Sequence, residues 1–314
     1  MPSLKAIRTR ISSVKSTQKI TKAMKMVAGA RLQKAQTRIT ELRPYAVKTT
    51  ELISELTARL SADAEKDKAE REAQGAAATP DGSEALDDMH PLLARRPESR
   101  VLLLVLTSDR GLCGAFNSNI NKRAEREWKT RTEAGQVVNL VVIGRKARDY
   151  LTRRGAKIDF VAGVWENLGQ ETAKVVGHRV LDPFLKKQVD AIYIIYNEFK
   201  NAASQQVVSE RLLPPRDPPP RTEAADQPQE FLFEPDRRAI LEVLAPMYVD
   251  ISILRALYES VASELGARMT AMESATKNAS EMIDSLTLQY NKARQAAITK
   301  ELMEIIGGSE ALKK

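Results

Sequence analysis

One cysteine, Cys113, and two histidines, His90 and His178, stand among 314 residues. That scarcity excludes an internal disulfide and any metal centre assembled from His and Cys, and it makes a reducing compartment the natural setting. Aromatic residues reach only 5%, a share that suits long helices better than a large enzyme core. No uninterrupted apolar run approaches the ~20 residues of a bilayer span, and the start of the chain lacks the apolar stretch of a secretory signal. A soluble, cytoplasmic chain is the expectation. Acidic residues are missing from one place in particular: the first forty residues hold ten Lys and Arg and no Asp or Glu. A helix solvated on its own normally uses i,i+4 ion pairs. Their absence favours an acidic protein surface as the partner.

What is present begins with periodicity. Apolar residues recur at alternating three- and four-residue steps from Leu4 through Ile7, Ile11 and Val14. The frame weakens at Gln18, Thr21 and Lys25 and resumes with Ala28, Leu32, Ala35, Ile39, Leu42, Ala46, Thr49, Ile53, Leu56 and Leu60. This is a coiled-coil seam. Such a seam runs too far to be a cleaved transit peptide, despite the Ser and Arg near its start. A second seam runs from Met247 through Ile251, Leu254, Tyr258, Val261, Leu265, Arg268, Met272, Ala275, Ala279, Met282 and Leu286, then Gln289, Ala293, Ala296, Lys300 and Met303. The two ends of the chain are therefore expected to pair.

The predicted organisation is a first helix over 1–60, bent or relieved of one hydrogen bond at Pro44. A surface insertion, part helix and part disordered, follows over 61–99. An α/β, Rossmann-like domain occupies 100–213, and a proline-rich linker and return occupy 214–235. The last helix covers 236–306, capped by Asp236 and stopped by Gly307 and Gly308, with a tail over 307–314. Within the α/β domain, strands are read at 100–107, 137–143, 157–161, 191–199 and 205–212, alternating with helices, which implies a mostly parallel, doubly wound sheet. Because the chain leaves one helix and enters the other at the same domain, the helices must pair antiparallel. At 1.5 Å per residue they measure roughly 87 Å and 107 Å, so about a dozen final residues of the longer one project past the N-terminus. That segment carries Ile298, Leu302, Met303, Ile305 and Ile306, and leaving such side chains in water costs about 1.5 to 3 kcal/mol each. Something outside the chain must enclose them.

Motifs for chemistry are weak. The turn TSDRGLCGAFN, Thr107 to Asn117, follows a strand and precedes a helix, where phosphates often bind. It has neither GxGxxG spacing nor a Gly-Lys-Ser/Thr ending, so Gly111 and Gly114 are read as serving the turn and Cys113 as a small buried thiol. The polar interruptions of the seams admit two explanations: register set by buried polar groups, or polar groups offered to an enclosing partner.

Three segments carry a family resemblance: LKAIRTRISSVKSTQKITKAMKMVAGARL, SDRGLCGAFN and ARMTAMESATKNASEMIDSLTLQYNKARQAAITKELMEIIGG. Together they resemble the γ subunits of bacterial F-type ATP synthases over both helices and the intervening domain. Residues 62–98 and the proline-rich linker lie outside the likeness, and Gly114-Ala115 stands where the family usually has two glycines. The resemblance implies a long antiparallel coiled coil of N- and C-terminal helices with an inserted Rossmann-like domain. It also implies a rotor shaft, itself non-catalytic and without cofactor. The implied partners are the α and β subunits of F1, the ε subunit, the c-ring of Fo and an inhibitory subunit, with the membrane met only through the c-ring. The implied location is the cytoplasmic face of the inner membrane. Matched positions place Met24 and Lys25 near levers of the β subunits, and Arg268, Gln295 and Thr299 among polar positions that engage the hexamer. The rival readings are a Rossmann-like nucleotide enzyme, a nucleic-acid-binding coiled coil and a purely structural one; the basic arm lacks the interleaved aromatics or base-reading motif that the second requires.

Overall fold

The computed structural model describes residues 3–73, 90–215 and 237–311. Most of the expected proline-rich linker, the Asp236 cap, the Ala- and Gly-rich part of the 61–99 insertion and the last three residues lie outside the described residues. The chain falls into two compact units, Met1–Ala30 with Arg268–Lys314, and Arg31–Ala267.

Helix α1 spans Leu4–Ala73 and continues through Pro44. It outruns the expected end at residue 60, because the stretch that follows mixes acids, lysines and alanines, all compatible with helix and with i,i+4 pairing. After a short 3-10 turn at Pro91–Leu93 come β1 (Arg100–Leu106), α2 (Phe116–Glu133), β2 (Val137–Ile143) and α3 (Arg145–Thr152). Then follow β3 (Ile158–Val161), α4 (Gln170–Leu185), β4 (Ala191–Phe199), β5 (Gln205–Leu213) and α5 (Arg237–Ala311). Gly307 and Gly308 do not stop α5 as expected. Glycine weakens a helix by about 1 kcal/mol relative to alanine but ends it only where the chain takes a left-handed turn.

In the unit Arg31–Ala267 the sheet order is β3-β2-β1-β4-β5. All neighbours are parallel except β4 and β5, which pair antiparallel as the chain turns back on itself. The run Val101–Leu106 is buried on both faces, as a central parallel strand requires. Leu102, Leu104 and Leu106 pack with Ile192 and Ile194 of β4, with Val176, Val180 and Phe184 of α4, and with Val249, Ile253 and Leu257 of α5; Ile53 of α1 joins them. On the other face Val101, Leu103 and Val105 meet Phe116, Ile120 and Ala124 of α2 and Ala147 and Leu151 of α3. α5 is therefore a structural layer of the α/β domain as well as a coiled-coil strand. The expected seam between 247 and 265 holds at half-buried Ile251, Leu254, Tyr258 and Val261 and at buried Leu265, and fails at exposed Met247; Tyr248, Val249, Ile253, Ala256 and Leu257 are buried as well.

In the other unit, Thr21 meets Thr276, Lys25 meets Glu273, and a Cβ on Gly29 would touch Met269. As α1 advances, its partners on α5 run backwards, so the pairing is antiparallel. Every expected seam position of α1 from Leu4 to Ala28 is buried or half-buried. On α5 the seam passes through Met272, Ala275, Ala279, Ile283 and Leu286, with Met282 and Gln289 exposed, contrary to expectation. Steps of three and four are both allowed in a heptad. With Met282 and Ile283 adjacent, spacing alone could not choose between them.

Candidate functional site

The polar stretch of the coiled coil is the first zone of interest. The Thr21 and Thr276 hydroxyls lie 2.7 Å apart, and the Thr276 hydroxyl is within 2.7 Å of the Met272 carbonyl one turn back. Lys25 Nζ donates to Glu273 Oε1 at 2.6 Å. Two of the three interruptions in the α1 seam are thus answered from α5, which supports polar groups as setters of register. The pair Lys25–Glu273 remains 38% and 60% exposed, so its own contribution to stability is about 0 to 1 kcal/mol.

Met24 occupies a second stripe beside the seam. Ile20, Met24 and Val27 follow i, i+4, i+7 spacing and so share a face; Ile20 and Val27 are more than half exposed and Met24 is half-buried. Exposed Met26 lies next to it. The family resemblance pointed to Met24 and Lys25 and not to Ile20, Met26 or Val27. The available signal was apolar residues off the seam in a helix without acids. Arg268 is half-buried at the near end of this zone.

The second zone is the end of α5. Beyond half-buried Ala297 every residue through Ser309 is exposed. Ile298, Leu302, Met303, Ile305 and Ile306 show 52–69% of their surface. Gln295 and Thr299 are exposed among them, the Thr299 hydroxyl donating to the Gln295 carbonyl at 3.0 Å. The structure therefore does not gather the five predicted residues into one site. Met24, Lys25 and Arg268 belong to the polar zone around Glu273, and Gln295 and Thr299 lie twenty-odd residues farther along α5, roughly 33 to 39 Å at the helical rise.

The turn after β1 has the geometry of a closed structural loop. Asn117 Oδ1 accepts from the Ser108 amide at 3.0 Å, and its Nδ2 donates to the Arg110 carbonyl at 3.2 Å and to Cys113 Sγ at 3.1 Å. Gly114 takes φ 55°, the left-handed conformation that favours glycine. Thr107 accepts the Ala147 amide at 2.9 Å. A side chain on Gly144 would come within 2.0 Å of the Thr107 carbonyl oxygen, so that close approach requires glycine. Cys113 is buried. Asn117 ties the loop shut. Among the described residues there is no grouping of three His, Cys, Asp or Glu side chains suited to a metal, and no helix long and apolar enough to cross a membrane.

A family model described as ATP synthase matches residues 3–312. The chain is 66% identical to the ATP synthase gamma chain of Sorangium cellulosum and 47% identical to that of an Anaeromyxobacter species, each alignment covering 100% of both chains. Its structure is similar to a chain of the central stalk and c-ring of the Tetrahymena thermophila mitochondrial ATP synthase, with TM-score 0.57 and 26% identity over 82% of this chain and 99% of that one. It shares its fold with a chain of the Euglena gracilis mitochondrial ATP synthase at TM-score 0.64 and 22% identity, over 98% of this chain and 94% of that one. A self-paired coiled coil with a bare apolar end, a closed strand-to-helix turn and similarity along the whole length agree on one conclusion: the chain belongs to the ATP synthase gamma-chain family.

Proposed function

We propose that this chain is the central rotor shaft of a bacterial F-type ATP synthase, coupling proton-driven rotation of the c-ring to the cycling of catalytic sites on a hexamer of α and β subunits. The chain carries no catalytic residue of its own; it works by contact. Its partners are the α and β subunits, the ε subunit and the c-ring. It lies at the cytoplasmic face of the inner membrane, held there through the c-ring. The observation that carries this reading is the end of α5: five large apolar side chains stand exposed there. A helix end of that composition is stable only inside a sleeve supplied by other proteins.

The polar zone supplies the second requirement. Rotation shifts the equilibrium of a catalytic site only if the shaft contacts that site differently at different angles. One side of α1 offers the apolar stripe Ile20, Met24 and Val27; the seam side, with Thr21 and Lys25, is taken up with α5. A shaft with such unequal sides presents a different surface to each of three surrounding subunits.

Reconstitution with purified α and β subunits and the membrane sector tests the proposal. ATP turnover by the hexamer is expected to depend on this chain, and removal of residues 300–314 is expected to lower ATP-driven proton pumping. Lys25→Glu tests the polar zone, but it also sets two carboxylates against each other at Glu273. The exchange Lys25→Glu with Glu273→Lys restores the pair and still removes the cation from α1. Impaired coupling in both variants assigns Lys25 to a contact with the hexamer; recovery in the exchange variant limits its role to the coiled coil. ATP turnover that is indifferent to the presence of the chain contradicts the rotor reading itself.

A further inference from the structure

A shaft must also be fixed to its base, and the unit Arg31–Ala267 shows one carboxylate where three elements meet. Glu259 of α5 is buried, its side chain only 4% exposed. One of its oxygens, Oε1, accepts from Arg43 Nη2 of α1 at 3.1 Å. The other, Oε2, accepts from the Phe199 amide at the carboxyl end of β4 at 2.9 Å. Each oxygen has a different element as its partner, so the group joins both long helices and the sheet at one point.

The same face of α5 continues this attachment. Four residues earlier, Arg255 donates to Glu210 Oε2 of β5 at 2.6 Å and to the Tyr196 hydroxyl of β4 at 3.2 Å. Four residues later, the Ser263 hydroxyl donates to the Asn197 carbonyl of β4 at 3.0 Å. One turn further, Gly266 lies so close to the loop after β4 that a Cβ would stand 3.2 Å from Ala202 Cα. Residues 255, 259 and 263 align on one helix face, and all three bind the β4–β5 pair. Apolar packing is non-directional and tolerates small slides, whereas hydrogen bonds and ion pairs lose strength steeply with angle and distance. A directional row at this boundary holds the rotational setting of α5 against the sheet.

We propose that Arg43 and Glu259 are positioning residues for energy coupling: they form the joint through which torque on the α/β domain passes into both helices. This inference rests on the rotor reading. It accounts for a buried carboxylate at the carboxyl end of β4.

The test uses the complete reconstituted enzyme and measures ATP hydrolysis and ATP-driven proton pumping in the same vesicles. Arg43→Met removes a half-exposed partner and leaves the Phe199 contact in place. It is expected to assemble, to hydrolyse ATP at near the parental rate, and to lower pumping per ATP by at least about twofold, the low end for residues that modulate coupling from outside the binding sites. Arg43→Lys is expected to restore most of the ratio. Exchanging the charges, Arg43→Glu with Glu259→Arg, is expected not to restore it, because an arginine at 259 cannot accept the Phe199 amide. Glu259→Gln, which can still accept that amide, serves as a second variant and is expected to lower the ratio as Arg43→Met does. An unchanged ratio in both single variants, or hydrolysis and pumping that fall together in both, overturns the proposal and leaves the pair a fold element. Parental enzyme whose hydrolysis does not require this chain overturns the rotor reading instead.

Discussion

Along α5 the cover given by the chain itself falls in three stages. Between Leu241 and Leu265 the helix is buried on several sides, with Leu241, Val249, Ile253 and Leu257 fully enclosed. From Met272 to Leu286 burial narrows to one stripe, and from Ile298 it is gone. Residue character does not fall in step: Ile305 and Ile306 are as apolar as Ile253. The difference teaches that the first stretch is apolar to hold this fold, and the last is apolar for something the fold does not contain.

Substitutions can break that comparison. The largest effect is expected at Leu257→Ala, which should destabilise the isolated chain by about 2 to 5 kcal/mol, read as a lower urea midpoint. Ile305→Ala is expected to change the same midpoint by no more than about 0.5 kcal/mol, while weakening coupling in the reconstituted enzyme. Equal losses in the isolated chain would mean that the end of α5 is packed after all. The middle stretch lies between these. Thr21→Val removes one of two facing hydroxyls and is expected to cost about 1 kcal/mol. The double change with Thr276→Val is expected to cost less than the two single losses together, since either single change already removes the contact between the hydroxyls; strict additivity would show that the two hydroxyls do not act as a pair.

The smallest effect concerns Asp250, half-buried on the first stretch of α5. Its carboxylate fits where Gly177 has no side chain, an added Cβ there lying 2.7 Å from Oδ1. Burial pushes its pKa above the ordinary 3.8, against the opposing pull of His178 and Lys174. A carboxyl raised in the fold contributes its stability below the unfolded pKa and loses it as pH rises through the folded one. Asp250→Asn is therefore expected to raise the melting temperature at pH 7, with the gain shrinking as pH falls toward 3.8. A gain independent of pH would remove the charge as its cause.

Much of this was legible because periodicity reports burial directly. The α1 seam was readable residue by residue, and the strands of the α/β domain followed from short apolar runs between turn residues. The first stretch of α5 was legible only in part, because a helix that also packs on a sheet has no single apolar face; Tyr248 and Val249 are buried beside exposed Met247. The Arg43–Glu259 joint left no trace in spacing, since its partners are separated by more than two hundred residues and one of them is a backbone amide. Of the site, the bare end was legible from composition and length, whereas the stripe through Ile20 and Val27 was hidden by attention to the seam.

The most direct measurement uses Ile305→Cys, with the native Cys113 buried and serving as an internal control for unfolding. Maleimide should label position 305 rapidly in the isolated chain and at least about tenfold more slowly once the chain is assembled with α and β subunits. Equal rates in the two states would show the end of α5 in open water within the assembly, contradicting the account of a shaft housed by its hexamer.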